Sequence, residues 1–166
     1  GKMKLKDKVA IVTGAGLGIG EATSRLFANE GAKVICVDIN AENAEKTATK
    51  INLNGRIATS YKLDVTNEIE INNFFSEITK KENKIDILVN NAGITVTGSV
   101  EQLTTLEWNK QLDTNLNSIY YMSNKIWKHF KKNGKGIILN TASIASKIGI
   151  ANDAAYCASK AAVEML

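Results

Sequence analysis

Residues 9–20 read VAIVTGAGLGIG. The first five residues form a short apolar run that ends in glycines, which is typical of a buried strand. The glycines at Gly14, Gly16, Gly18 and Gly20 permit a tight turn and a close approach of the backbone to a ligand, and the following helix offers free N–H groups. We therefore predict a pyrophosphate-binding loop. A glycine turn that serves packing alone is the alternative, and the lack of a following Gly-Lys-Ser/Thr excludes a P-loop.

The same alternation of short apolar runs and helical stretches continues along the chain. Strands that alternate with helices indicate right-handed βαβ units, and therefore an α/β fold with a doubly wound parallel sheet covered on both faces. We expect residues 1–166 to form a single dinucleotide-binding domain. The predicted strands lie at 9–13, 33–37, 56–63, 85–89 and 137–141, and the predicted helices at 18–30, 40–53, 66–81, 104–133 and from about 153 onward.

Capping residues and apolar spacing locate the helices. Asn40 and Thr66 are suited to cap the second and third helices, and Thr104 with Glu107 forms a T-x-x-E capping box before the long fourth helix. One face of that long helix is expected to be buried, and it carries Leu112, Leu116, Ile119, Ile126 and Phe130.

Composition narrows the function classes. The chain has 166 residues, of which 44% are hydrophobic and 23% charged, values that fit one globular domain and exclude disordered, collagen-like and coiled-coil chains. The net charge of +4 is scattered without a basic stripe, which favours a solvated lysine-rich surface over nucleic-acid binding. No apolar run is long enough for a membrane span. We expect a cytoplasmic protein with no nucleic-acid or membrane partner.

Residues often associated with metals or aromatic stacking receive simpler interpretations. One histidine and two cysteines cannot form a standard zinc site, so no metal is expected, and Cys36 and Cys157 are read as reduced packing residues. We expect His129 to be solvated at a helix end. Trp108 and Trp127 are expected in the core or at a subunit contact.

An acidic residue, Asp38, closes the second predicted strand. A carboxylate at this place can accept hydrogen bonds from the ribose hydroxyls of an adenosine, and its charge repels a 2′-phosphate. No basic residue stands at Ala15 or Ile39 to offset that charge. The pattern predicts NAD(H) rather than NADP(H); an exposed aspartate at a strand end is the alternative.

A tyrosine and a lysine lie four residues apart on the last predicted helix, and therefore on one face. An ammonium about 4 Å from the phenolate of Tyr156 would stabilise it by about 4 kcal/mol at an effective dielectric constant near 20. Lys160 can supply that charge, and Ser143, at the end of the fifth strand, can donate a hydrogen bond to a substrate oxygen. The set suits proton transfer to a carbonyl oxygen, although a Tyr-x-x-x-Lys pair alone is more often a surface pair.

Taken together, these motifs resemble the short-chain dehydrogenase/reductase family, in its single-domain branch with a Tyr-x-x-x-Lys active site. Six signatures occur in the family's order and cover about residue 4 to the last residue. They are TGAGLGIG at 13–20, Asp64-Val65, NNAG at 90–93, Asn115 within NLNS, Ser143, and YCASK at 156–160. The resemblance implies a Rossmann fold.

The resemblance also implies roles for individual residues. Tyr156 would be the general acid/base, Lys160 would support the phenolate and bind the nicotinamide ribose, and Asn115 would hold a water in a proton relay. Together with Ser143 these residues form the implied catalytic set. For the asparagines in 90–93, turn chemistry is the alternative. The implied cofactor-binding set is Gly14, Gly16, Leu17, Gly18, Ile19, Gly20, Asp38, Ile39, Asp64, Val65, Asn91, Ala92, Gly93, Tyr156 and Lys160.

Three functions remain open on this resemblance. The first is an NAD(H)-dependent oxidoreductase that moves a hydride between nicotinamide and a secondary alcohol or ketone. The second is a 3-oxoacyl-(acyl-carrier-protein) reductase using NADPH, whose general sequence style is similar. The third is a non-catalytic nucleotide-binding fragment. The apolar character around Thr95 and Val96 suggests an uncharged or weakly polar substrate.

The end of the sequence departs from the family. Members continue beyond the tyrosine helix with a sixth and a seventh strand, whereas this sequence stops at Leu166 in mid-helix. We expect the sequence to be part of a longer chain, and a natural fragment is the alternative. The fifth strand should then be an exposed edge. The long helix and the tyrosine helix are expected to pair across subunits in a homodimer or homotetramer.

Overall fold

The computed structural model describes residues 1–141 and 149–166. Five parallel strands form one sheet in the order β3-β2-β1-β4-β5. A five-residue π-helical segment, named the π turn, joins two helices. The elements are β1 (Val9–Thr13), α1 (Gly18–Asn29), β2 (Lys33–Asp38), α2 (Ala41–Leu53), β3 (Ala58–Lys62), α3 (Glu68–Lys81), β4 (Ile87–Asn90), α4 (Thr105–Leu112), the π turn (Asp113–Asn117), α5 (Ser118–Asn133), β5 (Ile137–Asn140) and α6 (Ala154–Met165).

The central strand, β1, is where the strand order reverses. Ile11 lies opposite Ile35 of β2 on one side and Leu88 of β4 on the other. The connections after β1 and β4 leave the sheet in opposite directions, so a crevice opens outside the carboxyl ends of these two strands, where open α/β sheets bind their ligands. The predicted loop and the NNAG segment both begin at this edge.

Helices cover both faces of the sheet, which confirms the doubly wound α/β prediction. On one face, Ile11 packs in a buried cluster with Phe74 of α3 and Ile126 of α5. On the other, Val12 packs in a cluster with Ala28 of α1 and with residues of α2. Neighbouring residues of β1 therefore serve opposite layers, as the two-residue period of a strand requires.

Two of the three predicted helix N-caps are confirmed. Asn40 caps α2 by accepting the Asn43 N–H, and both bonds of the Thr104–Glu107 capping box are present. The prediction that Thr66 caps α3 is wrong. Asn67 caps that helix, because the Thr66 hydroxyl and N–H are both donated to the carboxylate of Asp64.

The long fourth helix differs from its predicted form. It is divided into α4 and α5 by the π turn, which adds a residue to the helical repeat. Leu112 and Leu116, predicted on the buried face, are only partly buried, whereas Ile119 onward follows the prediction. Two polar side chains, Gln111 and Asn115, are buried instead of these leucines.

Strand β5 forms one edge of the sheet in the described structure. Ile137 and Leu139 are about half exposed, at 55% and 45%. Strands of parallel sheets are usually covered on both faces, so this edge leaves apolar surface in contact with solvent. This agrees with the exposed fifth strand expected for a sequence that stops before the family's sixth and seventh strands. None of the helices within the described ranges is both long enough and apolar enough to cross a membrane.

The structure agrees only in part with what the sequence predicted for the cysteines and tryptophans. Cys36 is buried, and burial raises the pKa of its thiol to about 11, so it is an inert packing residue. Cys157 is half-buried, and its Sγ accepts the Ile150 N–H at 3.4 Å. Trp108 is half-buried, but Trp127 is 58% exposed and so does not belong to the core.

The interpretation of His129 as a solvated residue is wrong. Its Nε2 accepts the backbone N–H of Ile85 at 2.9 Å, and the amide of Asn133 lies 2.8 Å from the same nitrogen. Ile85 lies two residues before β4 and is fully buried, so the imidazole satisfies a backbone donor at the edge of the core. This bond requires the unprotonated nitrogen.

Acidification should therefore destabilise the protein through His129. Burial, followed by the charge of Lys132, lowers the pKa of this imidazole, while Asp86 acts in the opposite direction. Its stabilisation is complete above the unfolded-state pKa of about 6.5 and is lost as the pH falls through the lowered folded-state pKa. Between about pH 7 and about pH 5, the thermal midpoint should fall more in the wild type than in His129→Gln, whose amide oxygen accepts the bond without titrating. Equal slopes would contradict this role.

Candidate active site

The glycine loop after β1 is shaped by two different constraints. Gly14 and Gly18 have φ of +61° and +53°, a region that L side chains rarely adopt. Gly20 is needed for space, since a Cβ there would lie 1.9 Å from the Gly14 carbonyl oxygen. A Cβ on Gly16 would lie 2.5 Å from that of Asn43. Lack of space for a Cβ therefore explains Gly16 and Gly20, and the positive φ of the turn explains Gly14 and Gly18.

The first turn of α1 is left without a side-chain cap. Leu17 occupies the N-cap position and makes no capping hydrogen bond. The first N–H groups of a helix have no intrahelical partner, and together with the helix dipole they favour an anion. The start of α1 thus presents N–H groups without intrahelical partners beside the glycine loop, as a pyrophosphate-binding site requires.

Asp38 is held rigidly beside this loop. Its Oδ2 accepts the Gly16 N–H and its Oδ1 accepts the Asn40 N–H, both at 2.9 Å. Two backbone donors thus fix the orientation of both carboxylate oxygens. The charge therefore sits at the carboxyl end of β2 in a fixed orientation, with lone pairs left for further donors.

The hydroxyl of Thr13 connects the glycine loop to the NNAG segment. It donates to the Val89 carbonyl at 3.4 Å and accepts the N–H groups of Asn91 and Ala92 at 3.0 and 3.1 Å. Thr13 is buried, so these bonds are shielded from water. The last residue of β1 consequently fixes where the chain leaves β4.

The two asparagines of NNAG join neighbouring strands. Asn90 Nδ2 donates to Asn140 Oδ1 at 3.0 Å, and Asn91 Oδ1 accepts the Thr141 hydroxyl at 3.0 Å, so both side chains tie β4 to the end of β5. Asn91 Nδ2 also reaches the Gly14 carbonyl oxygen at 3.4 Å. These contacts are more extensive than local turn chemistry.

A cleft of about 580 Å³ opens at this edge of the sheet. Its described lining carries three carboxylates, Asp38, Asp64 and Asp113, against one ammonium, Lys110. Gly16, Gly18, Ile19 and Gly20 belong to the adjoining loop and helix start without lining it. The predicted cofactor residues that do line the cleft are Gly14, Leu17, Asp38, Ile39, Asp64, Val65, Asn91, Ala92 and Gly93.

The structure brings the predicted tyrosine and lysine together. Lys160 is 95% buried; its Nζ lies 5.8 Å from the centroid of the Tyr156 ring and donates to the Thr141 carbonyl at 3.2 Å. Burial lowers the pKa of the Lys160 ammonium. A Cβ added to Gly93 would lie 3.6 Å from Nζ, which places the lysine against the end of the NNAG segment. The pair is therefore internal rather than a surface pair.

Asn115 is placed next to this pair by the π turn. Its Oδ1 accepts the Ile94 N–H and its Nδ2 donates to the Ile94 carbonyl, both at 2.8 Å. Nδ2 also donates to the Ser159 hydroxyl at 3.2 Å, and that hydroxyl donates to the Tyr156 carbonyl at 2.8 Å. Asn115 thus links the NNAG side of the cleft to α6. Ser143 lies outside the described residues.

Several residues of this region escaped the sequence reasoning. Thr141 and Asn140 could have been found, because the carboxyl ends of adjacent parallel strands share one edge of the sheet. Lys110, Asp113 and Thr114 line the cleft from α4 and the π turn, and no local motif marks them.

Comparison with known proteins shows which family the chain belongs to. A family model described as short chain dehydrogenase matches residues 8–166. The chain belongs to this family. The chain is 40% identical to an NAD-dependent glycerol dehydrogenase of Listeria innocua over 96% of its length, and 36% identical to a meso-2,3-butanediol dehydrogenase of Serratia marcescens over 97%. It is also 38% identical to a 3-oxoacyl-(acyl-carrier-protein) reductase of Vibrio cholerae over 97%.

These three relatives are longer than the chain, which spans 61%, 63% and 65% of their respective lengths.

Solved structures of other proteins have the same fold. A 7α-hydroxysteroid dehydrogenase complexed with NADH and 7-oxoglycochenodeoxycholic acid matches with a TM-score of 0.93 at 34% identity, over 99% of this chain and 64% of the other. A metagenomic short-chain oxidoreductase in complex with NADP matches with a TM-score of 0.93 at 30% identity, over 97% and 73%. The short chain dehydrogenase fold is thus present up to α6.

Proposed function

We propose that this short chain dehydrogenase is an NAD(H)-dependent oxidoreductase acting on a secondary alcohol or its ketone. The observation that carries the proposal is Asp38, whose two oxygens are fixed by the N–H groups of Gly16 and Asn40 at the edge of the cleft. Tyr156 and Lys160 supply the acid and base chemistry that such a reaction needs.

The residues present fit a dinucleotide. The loop from Gly14 to Gly20 carries few side chains and faces the uncapped start of α1, where a pyrophosphate would be held. Asp38 would accept hydrogen bonds from the ribose hydroxyls, and Asp64 with Val65 would border the adenine. When bound there, the nicotinamide supplies or accepts the hydride.

The charge of the cleft favours NAD(H). Carboxylates at Asp38, Asp64 and Asp113 outnumber the ammonium of Lys110 in the described lining, and an added 2′-phosphate would be repelled. The relative from Listeria innocua is named NAD-dependent, whereas one structural neighbour is in complex with NADP. The fold itself therefore permits both cofactors, and we assign the preference to Asp38.

Proton transfer is assigned to Tyr156. Its phenol would protonate the carbonyl oxygen in reduction and accept the hydroxyl proton in oxidation. The ammonium of Lys160, held by the Thr141 carbonyl, would stabilise the phenolate. Asn115 fixes the segment at Ile94 beside this pair, and Ser143 would donate a hydrogen bond to the substrate oxygen.

The substrate we propose is a small polyol or vicinal diol. Three similar proteins are named for glycerol, meso-2,3-butanediol and D-threitol, each an alcohol with a neighbouring hydroxyl group. A second candidate, a 3-oxoacyl-(acyl-carrier-protein) reductase, is supported by the 38% identity to the enzyme of that name from Vibrio cholerae. We rank it second because Asp38 disfavours NADPH.

A homodimer or homotetramer remains our expectation. Large apolar side chains on α4 and α5 are exposed to solvent, with Leu106 at 77%, Tyr120 at 59% and Trp127 at 58%. We assign these side chains to an interface between subunits, since exposed apolar patches often mark such interfaces.

The cofactor preference can be tested by replacing Asp38. In fluorescence titrations, the wild type should bind NADH at least about tenfold more tightly than NADPH, a difference of about 1.4 kcal/mol. In Asp38→Ala the preference should fall to within about threefold, because the repulsive charge and the ribose acceptor are both lost. Glu42→Ala, which removes an exposed acid from the first turn of α2, should retain the wild-type ratio. Rejection of NADPH by Asp38→Ala as strong as in the wild type would contradict the assignment.

The reaction can be tested with Tyr156→Phe. Oxidation of glycerol or 2,3-butanediol with NAD should fall by about 10²- to 10⁴-fold, as expected for the loss of a general acid/base, while NADH affinity stays within about twofold. Tyr120→Phe, at an exposed position on α5, is the control. Faster NADPH-dependent reduction of a 3-oxoacyl thioester would move the second candidate to first place. NADH binding without turnover of either substrate class would identify a non-catalytic binding protein.

A further inference from the structure

Gln111 is a buried polar residue that neither stability nor the proposed mechanism explains. Its side chain is fully buried on α4, and its Nε2 donates to the Val96 carbonyl at 3.1 Å. Its Oε1 has no hydrogen-bond partner in the part of the chain that the structure describes. An unpartnered buried oxygen costs free energy, and an apolar side chain of similar size would avoid that cost. Within the described residues, the bond to Val96 is therefore the polar contact that the buried side chain makes.

Two side chains of the helical region, Gln111 and Asn115, bind the same segment, residues 94–98. Asn115 binds the N–H and carbonyl of Ile94, and Gln111 binds the carbonyl of Val96. The two amides lie four residues apart along the chain and bind two residues of the segment that are separated by one residue.

The other end of the segment holds the start of α6. Gly98 forms a parallel bridge with Asp153, its carbonyl accepts the Ala154 N–H at 3.4 Å, and its N–H donates to the Asn152 carbonyl. Asp153, the N-cap residue, makes no side-chain capping bond of its own. Gly98 therefore supplies the cap of this helix, and Tyr156 lies in the turn that it caps.

We propose that Gln111 is a positioning residue for Tyr156. By holding Val96 it fixes the segment that carries Gly98, and Gly98 in turn holds the first turn of α6. Loss of the bond would let this turn fray, and the phenol would move relative to Lys160 in the next turn. Gln111 and Val96 do not line the cofactor cleft, so nucleotide binding should be unaffected. The expected change in kcat rests on the proposed function. The expected fraying of the first turn of α6 does not.

The test uses Gln111→Met, which keeps the length of the side chain and removes the donor. Diol oxidation should show kcat reduced by about tenfold with NADH affinity within about twofold, and the pH profile of kcat should shift. Ile126→Val, which trims a buried side chain of α5 in the cluster around Ile11 and Phe74, is the control for a general loss of stability. Its kcat and pH profile should match the wild type.

Hydrogen exchange provides a readout that needs no turnover. The Cys157 N–H donates to the Asp153 carbonyl at 2.8 Å within the first turn of α6, so its exchange rate reports fraying. It should exchange at least about tenfold faster in Gln111→Met than in the wild type and Ile126→Val. If the wild type binds NADH without turnover, the proposed function fails while this comparison still decides the inference. An unchanged Cys157 exchange rate, or an unchanged kcat and pH profile, would overturn it.

Discussion

The hydroxyl of Thr13 is the contact on which the cleft depends. It is the last residue of β1, it is buried, and it accepts the N–H groups of both Asn91 and Ala92 while donating to Val89. A buried backbone donor without a partner costs free energy comparable to a lost hydrogen bond. One buried hydroxyl thus supplies the acceptor for two backbone N–H groups at the point where the strand order reverses. The glycine loop and the NNAG segment are held together as the two walls of one site.

From this junction the site extends through buried polar contacts to α6. Asn91 reaches Thr141, whose carbonyl accepts the ammonium of Lys160. Asn115 joins the following segment to Ser159, one residue before that lysine. Hydrogen bonds in a protected interior are electrostatically stronger than in water, so such a network favours one arrangement of its members. The cofactor half and the proton-transfer half of the proposed site are consequently parts of one network.

Local sequence signals predicted most of the fold, and contacts between distant residues account for what they missed. The strand, glycine turn and helix at 9–29 depend on apolar spacing and glycine conformation, which can be read directly. Thr66 and Asn67 are adjacent cap-forming residues, and only the competing bonds from Thr66 to Asp64 decide between them. His129 binds an amide 44 residues away, and no local pattern announces such a contact.

The π turn is a feature of the site itself that local sequence signals did not predict. A constant helical period placed Leu116 on the buried face, whereas the extra residue turns Asn115 inward instead. The family resemblance named Asn115, but it did not indicate the backbone irregularity that orients it. Gln111, one turn earlier, carries no signature at all, and its contact with Val96 became visible only in three dimensions.

A titration of two Thr13 variants with NADH tests most directly whether one hydroxyl holds the cleft in its binding arrangement. Thr13→Ser keeps the hydroxyl and should bind NADH within about threefold of the wild type. Thr13→Val keeps the shape but leaves two N–H groups without an acceptor, and its affinity should fall by at least about tenfold, with circular dichroism confirming that the sheet and helices remain. Wild-type affinity in a folded Thr13→Val protein would contradict the account.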